Sequence, residues 1–209
     1  MKVIVFIDYW NLQLTIQQQD AKSVGKNANS HRFNIDWYSI GRVFTDIAQS
    51  VVSGSGLQEK LCYQETRIYT SDNPDSNGKY RRWVNNSLSK QPSIRAYCLD
   101  RKVKKQQECP YCNRVISNCP HCDKEFKSTQ EKGVDTLLVT DLLNLGLNKA
   151  YDIAVLASQD SDMKPAVKHL SDNGIKVIHA GIKNFGNDLS GECWAKFDLF
   201  PKRDQIKRR

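Results

Sequence analysis

The chain has 209 residues, of which 39% are hydrophobic and 26% charged, and its formal net charge is +8. This length suits one domain with a sizeable core and a small addition, and no apolar run approaches the roughly 20 residues of a membrane-spanning helix. About five apolar residues precede Asp8, which is too few for the core of a secretory signal. The composition therefore predicts a soluble, cytoplasmic protein with no membrane partner.

The predicted elements alternate between strands and helices along most of the chain. Buried apolar runs predict strands at 2–7, 65–69, 94–99, 153–157 and 175–180. Helical spacing of apolar residues predicts helices at 9–19, 35–52, 79–89, 137–147 and 162–173. Strands joined by connections of helical length pair in parallel, with right-handed crossovers. We therefore expect an α/β, three-layer Rossmann-like fold with a mainly parallel five-stranded sheet.

A polar, cysteine-bearing insert at 101–129 interrupts this alternation. It carries two Cys-Pro-x-Cys motifs, and four thiolates at this spacing can complete a tetrahedral zinc shell: Cys109, Cys112, Cys119 and Cys122. A redox Cys-x-x-Cys is the alternative, but it is expected once and beside a βαβ unit. The motifs therefore predict a structural Zn²⁺ in a small zinc-ribbon-like insert within a main domain at 1–200, which a basic tail follows at 201–209.

Basic residues are concentrated in two parts of the chain. Residues 79–105 contain nine basic residues and one acid, and the tail contains five basic residues and one acid, so the remainder is net negative. A single charge run is more often a solvated surface, but a basic segment beside an acidic remainder indicates a polyanion partner. Candidate substrate contacts in this segment are Arg81, Arg82 and Lys102, with three interleaved aromatic residues that could stack on bases, Tyr80, Trp83 and Tyr97.

Four acidic residues lie at the ends of predicted strands or at the start of a predicted helix. Asp8 ends the first strand, Asp160 and Asp162 follow the fourth, and Asp135 opens the helix between the third and fourth. If the first and fourth strands are neighbours, these carboxylates meet at one edge of the sheet. Each acid alone is accounted for as a helix cap or a partner of a helix dipole. Together they favour a site for Mg²⁺ or Mn²⁺, which prefer oxygen ligands and can activate water against a phosphodiester.

Three motifs, in this order, resemble those of NYN domain proteins, a branch of the PIN-like nuclease superfamily, and especially its LabA-like group. They are FIDYWNL at 6–12, EKGVD with DLL at 131–143, and SQDSD at 158–162. The group often carries a zinc-knuckle insert just before the second motif, as here. The resemblance implies a PIN-like fold and a Mg²⁺- or Mn²⁺-dependent endoribonuclease.

The resemblance also implies roles for individual residues. Asp8, Asp135, Asp160 and Asp162 would be the metal-binding, catalytic acids. Substrate or pocket contacts would come from Asn11, Lys132 and Ser158, with Asp141 in a supporting position. We expect Asp160 to contact the metal directly and Asp162 to act through water.

Two other classes of function stay open at this point. The first is a non-catalytic, RNA-binding regulatory module that retains the acidic pocket. The second is a phosphatase or nucleotide hydrolase, which would need a glycine-rich phosphate loop or an early Asp-x-Asp nucleophile; only residues 160–162 have that spacing, late in the chain. RNA is the predicted partner, while DNA as a second substrate and a homodimer are both left open.

Overall fold

The structure is a computed structural model, and it describes residues 1–54, 56, 58–73, 77–103, 107–108, 111–124 and 129–208. Five residues that the sequence places in the basic segment, the first zinc motif or the tail lie outside the described residues: Lys104, Lys105, Cys109, Pro110 and Arg209. None of the described helices is both long enough and apolar enough to cross a membrane.

Strands and helices alternate in chain order. The first half comprises β1 (Lys2–Asp8), α1 (Tyr9–Ser23), α2 (Ile40–Gly54), β2 (Cys62–Asp72), α3 (Lys79–Asn86) and β3 (Ile94–Asp100). The insert adds four two-residue strands, β4 (Lys102–Val103), β5 (Gln107–Glu108), β6 (Val115–Ile116) and β7 (Thr129–Gln130). The second half comprises α4 (Val134–Leu147), β8 (Ile153–Ala157), α5 (Lys164–Asp172), β9 (Lys176–Gly181), α6 (Asn187–Glu192) and β10 (Ala195–Asp198). Short 3-10 segments occur at Leu88–Lys90, Ser161–Met163 and Phe200–Gln205.

The main sheet has six parallel strands in the order β10-β9-β8-β1-β2-β3. The predicted α/β class and parallel sheet are confirmed, and β10 is a sixth strand beyond the five expected. The chain adds β2 and β3 on one side of β1, and places β8, β9 and β10 on the other. Strand order therefore reverses between β1 and β8, and ligands of open α/β sheets bind beyond the carboxyl ends of such strands.

Helices cover both faces of this sheet. Residues 3–7 of β1 and all of β8 are buried, as expected for central strands of a covered parallel sheet. One core cluster packs α1 and α2 against the sheet, and a second packs α4 and α5 against its other face. Gly41 lets α2 approach β2 closely, because a Cβ there would stand 1.7 Å from Thr66 Oγ1. The three-layer arrangement follows.

The C-terminal residues pack against the segment that precedes α2. Ile35 and Lys207 form an antiparallel bridge, and the Asp36 N–H donates to the Ile206 carbonyl at 2.8 Å. Ile206 is fully buried. The helix predicted from residue 35 therefore begins only at Ile40, since residues 34–36 pair with residues 206–208 and residues 37–39 form a turn.

Candidate active site

A cleft of about 440 Å³ opens where β1 and β8 end, and carboxylates from three segments line it. Asp8 ends β1, Glu131 and Asp135 stand on either side of the start of α4, and Asp160 follows β8. The other lining residues are Trp10, Asn11, Leu14, Thr15 and Arg101. The structure thus brings together three of the four predicted acids, while the fourth, Asp162, is exposed and does not line this cleft.

Asp8 is the most buried acid of the cleft, with 5% of its surface exposed. Its Oδ1 accepts the Asn11 N–H at 3.2 Å, which caps α1, and its Oδ2 accepts the Ser158 hydroxyl at 3.4 Å. Burial first, and then the charges of Asp135, Glu131 and Asp160, raise the pKa of Asp8 to about 7, although the Asn11 N–H acts to lower it. Capping and membership of the acidic site therefore coincide in one residue.

Asp135 and Asp160 are coupled to the same group of charges. The pKa of Asp135 is raised by burial first, then by Asp160, Glu131 and Asp162. Asp160 caps the 3-10 turn that follows it, because its Oδ1 accepts the Asp162 N–H at 2.9 Å. The neighbouring carboxylates thus raise the pKa of both Asp8 and Asp135, and a bound cation would relieve this repulsion.

The loop that carries Asp160 is fixed from two sides. The Gln159 N–H donates to the side-chain carbonyl of Asn11 at 2.8 Å, and His179 Nε2 lies 2.7 Å from the Ser158 carbonyl oxygen. Because a carbonyl oxygen only accepts, Nε2 carries the ring hydrogen, and Nδ1 accepts from the Ser190 hydroxyl at 2.6 Å. Burial lowers the pKa of His179, which keeps the ring neutral.

Two charged residues of the cleft, Arg101 and Glu131, were not among the predicted site residues. Arg101 donates to Glu131 Oε2 at 3.0 Å and to Ser71 Oγ at 2.9 Å, and its guanidinium carbon lies 5.4 Å from the centre of the Trp10 ring. Glu131 was part of a recognised motif but had no assigned role. The signal that could have found it is Gly133, whose φ of 85° lets the chain turn into α4 so that Glu131 and Asp135 face one cleft.

The donor set suits a hard divalent cation. Asp8, Glu131, Asp135 and Asp160 offer oxygen ligands, which Mg²⁺ and Mn²⁺ prefer. Within the described ranges, no group of three or more His, Cys, Asp or Glu side chains is arranged to hold a metal ion. Ionised carboxylates repel one another, so a bound cation would have to draw these side chains together. These four acidic residues would hold the cation.

The predicted basic contacts lie elsewhere. Arg81 pairs with Asp100 at 2.5 Å and stands 3.8 Å from Asp72, beyond the ends of β2 and β3. Arg82 donates to the Asn77 carbonyl at 3.1 Å. Lys102 and Lys132 are exposed, and Lys132 directly follows Glu131 of the cleft.

Two other predicted residues have structural contacts on the sheet face that α4 covers. Asp141 accepts from Arg67 Nη1 at 2.7 Å and from the Tyr69 hydroxyl at 2.8 Å. Tyr97 stacks on Tyr69 at 5.2 Å between ring centres. Neither residue lines the acidic cleft.

The second zinc motif forms a tight turn. The Asp123 N–H donates to the Cys119 carbonyl at 2.8 Å, and the pKa of Cys119 is lowered by the N–H groups of His121 and Cys122 and by the Cys122 thiol. A cysteine that favours the thiolate suits zinc ligation. Cys112 is exposed, and Cys109 lies outside the described residues.

The amino-acid sequence matches the NYN domain model over residues 2–197. The chain belongs to the NYN domain family. This confirms the resemblance drawn from the three motifs and sets the fold among the PIN-like nucleases, which typically use divalent metals. Nucleic acid is therefore the substrate class that the family indicates.

Two individual proteins are similar to this NYN domain. A protein of unknown function from Vibrio parahaemolyticus has a crystal structure that matches with a TM-score of 0.54 at 14% identity, over 99% of this chain and 96% of that one. At this identity the match supports the fold alone. An uncharacterized protein of Sinorhizobium fredii is 42% identical over 53 residues, which is 25% of each chain, so the match spans only a quarter of that relative.

Proposed function

We propose that this NYN domain protein is an endoribonuclease that hydrolyses RNA phosphodiester bonds in the acidic cleft, with Mg²⁺ or Mn²⁺ bound by its carboxylates. The observation that carries the proposal is the convergence of four acids from three segments at the strand-order reversal, with the pKa of Asp8 raised to about 7. Keeping the buried Asp8 ionised beside Asp135, Glu131 and Asp160 costs free energy unless a cation neutralises these charges.

The side chains around the cleft have distinct roles in this proposal. Bound Mg²⁺ or Mn²⁺ would polarise a phosphoryl oxygen and make a water molecule more nucleophilic. Ser158 and the Asn11 N–H orient Asp8, so its carboxylate is held in one direction before substrate binds. Arg101 is held by Glu131 and Ser71, and it offers a fixed positive charge to the non-bridging oxygens of a phosphate. Lys132 adds a second positive charge beside Glu131.

The test compares purified wild-type chain with single variants on an unstructured RNA and on DNA of the same sequence. We expect internal cleavage of RNA that requires Mn²⁺ or Mg²⁺ and stops in EDTA. Asp160→Asn should lower the rate roughly 10²- to 10³-fold, because it removes one charge that acts on the reacting phosphate through the cation. Asp162→Asn should cost about tenfold or less, since Asp162 is exposed and lines no wall of the cleft.

Asp172→Asn is the matched control. Asp172 is exposed on α5 and pairs only with Lys168 at 3.5 Å, so its loss should leave cleavage unchanged. Cleavage that survives Asp160→Asn undiminished would refute the proposal. Wild-type chain that binds RNA and cleaves nothing would instead identify the alternative function, a non-catalytic RNA-binding module.

A further inference from the structure

A second cleft, of about 870 Å³, lies against the next turns of α1. Its volume is within the range of ligand sites in proteins. Trp10 and Leu14 line both this cleft and the acidic one, so the two clefts are neighbours along α1. The residues that line only the second cleft come from α1, the 32–37 segment, α3 and residue 208: Tyr9, Gln13, Gln17, Arg32, Phe33, Asn34, Ile35, Trp37, Tyr80, Trp83 and Arg208.

Six of the residues that line this second cleft are aromatic, and we call it the aromatic cleft. Tyr9 and Trp37 stack at 4.2 Å between ring centres and are 8% and 5% exposed, so they form its floor. Trp10, Tyr80 and Trp83 are only partly buried and stand at its walls. They also pack on one another, with 5.4 Å between the ring centres of Trp10 and Tyr80 and 5.7 Å between those of Tyr80 and Trp83, so only part of each ring is open to the cleft.

The polar atoms of the three wall rings are already occupied. Trp10 Nε1 donates to the Ser71 carbonyl at 2.9 Å, and Trp83 Nε1 donates to the Tyr38 hydroxyl at 3.2 Å. The Tyr80 hydroxyl lies 2.7 Å from Thr70 Oγ1. The rings are therefore fixed by their edges, and a ligand meets rigid π faces rather than hydrogen-bonding groups. This favours a flat, aromatic ligand that stacks.

The charges around the aromatic cleft are positive. No acid lines it among the residues that the structure describes, whereas two arginines do. Arg32 and Arg208 are both exposed, and Arg208 is held in place because its N–H donates to the Asn34 carbonyl at 2.9 Å. Stacking rings with guanidinium groups beside them are the combination with which proteins bind single-stranded nucleic acid.

We propose that the aromatic cleft binds an unpaired base of the RNA strand whose neighbouring phosphate lies in the acidic cleft. The two clefts share Trp10 and Leu14, so a strand that passes from one to the other stays in contact with α1. The identity of the ligand as RNA rests on the proposed function, but base stacking in this cleft does not depend on catalysis. A base can enter only when it is unstacked from its neighbours, so the cleft selects single strands.

The test measures the affinity of wild-type chain for a short, unstructured oligouridine RNA by fluorescence anisotropy in EDTA, where hydrolysis cannot occur. Trp83→Leu keeps an apolar side chain in the packing and removes the aromatic face, and it should weaken binding about 5- to 100-fold. Trp83→Phe should restore most of that loss. Arg208→Gln should cause a smaller loss that disappears at high salt, because the contact is to phosphate.

The matched controls lie at the amino-terminal ends of β10 and β3, whereas the acidic cleft lies at the carboxyl ends of the strands. Trp194 is 40% exposed before β10, and Arg95 is an exposed arginine near the start of β3. Trp194→Leu and Arg95→Gln should leave the affinity unchanged. An RNA that lacks one base should bind wild type as weakly as the intact RNA binds Trp83→Leu. Binding of this abasic RNA to Trp83→Leu should not be weaker still, because the base and the ring contribute to one contact.

The outcomes separate this proposal from the proposed function. If Trp83→Leu and the abasic RNA bind as tightly as their parents while Asp160-dependent cleavage persists, the base site is refuted and the nuclease stands. If base-dependent binding at Trp83 is found without any cleavage, the nuclease is refuted and the base site stands. A change in oligomeric state on Trp83→Leu, with RNA affinity unaltered, would assign the cleft to a second copy of the chain and overturn the base site.

Discussion

At the scale of a single residue, two effects act in opposite directions on the charge of Asp8. Its carboxylate caps α1 through the Asn11 N–H, yet it is buried beside three other acids. The cap favours the charged form, while burial and the neighbouring charges oppose it more strongly, so the pKa rises to about 7. In the absence of a cation, keeping Asp8 ionised therefore lowers the stability of the folded chain.

Asp8→Asn should stabilise the metal-free protein above neutral pH. The ordinary pKa of an aspartate is 3.8, so the unfolded chain is ionised at Asp8 above about pH 4, whereas the folded chain retains the proton up to about pH 7. The folded chain is thus most stable, with respect to Asp8, below pH 4, where the residue is protonated in both states. This contribution to the free energy of unfolding is lost as the pH rises through 7. Asparagine keeps a capping oxygen without the charge. We expect a gain of up to about 4 kcal/mol in the free energy of unfolding at pH 8.

Urea unfolding of wild type and Asp8→Asn in EDTA at several pH values measures this gain. The difference in the free energy of unfolding between Asp8→Asn and wild type should vanish near pH 4 and grow towards pH 8. The same difference for the exposed control Asp172→Asn should not change with pH. Adding Mn²⁺ should stabilise wild type more than Asp8→Asn, because only the carboxylate is a full ligand. A difference that is constant across pH would mean that Asp8 titrates normally in the folded chain.

The acids at strand ends could be predicted because parallel strands bring their carboxyl ends to one edge. Asp8, Asp135 and Asp160 reach the cleft for that reason. Spacing alone could not show that Asp160 lines the cleft and Asp162 does not, since this depends on the 3-10 turn at Ser161–Met163, which Asp160 caps. The roles of Glu131 and Arg101 depend on the turn at Gly133 and on a contact between distant segments, neither of which a local pattern specifies.

The insert is the element whose stability is expected to depend on a metal. Its strands form two short antiparallel ladders, β4 with β7 and β5 with β6, outside the main sheet. Every described residue at 111–118 is exposed. A segment with so little buried apolar surface needs a cross-link or metal to hold one conformation.

The chain should therefore bind one zinc ion in the insert, and mass spectrometry of the metal content measures it. Cys119→Ser and Cys122→Ser should lose the zinc, whereas Cys62→Ser, which changes an exposed cysteine outside the insert, should keep it. Hydrogen exchange should then rise at 101–130 and stay unchanged in the main sheet. Full zinc content in Cys119→Ser would refute zinc binding by these motifs. Cys98 and Cys193 should play no part, because burial raises the pKa of their thiols to about 11 and 12.

Elements with long apolar runs were predictable, and short edge elements were not. β8 has the bounds that its run of buried residues predicts, because it lies in the centre of the sheet. β10 has four residues, two of them polar, and pairs with one neighbour only, so its pattern resembles a loop. The extended segment before α2 depends on residues 206–208 at the far end of the chain, a contact that no local pattern contains.

At the scale of the whole molecule, the carboxyl edge of the sheet combines an acidic and an electropositive surface. The acidic cleft lies at the reversal of strand order. The aromatic cleft with its two arginines lies beside it along α1. The acids repel RNA until a cation neutralises them, whereas the arginines attract the backbone at all times. Metal-free binding should therefore depend mainly on the arginine-bearing side.

Salt dependence of metal-free RNA binding tests this division of roles. Each phosphate contact on a single strand contributes about −0.7 to the slope of log affinity against log salt concentration. Arg32→Gln with Arg208→Gln should therefore make the slope less steep by about 1.4. The matched pair Lys168→Gln with Arg95→Gln removes two exposed charges away from both clefts and should leave the slope unchanged. Equal changes in both double variants would mean that RNA is attracted by the net charge of +8 as a whole, without a defined path across the carboxyl edge.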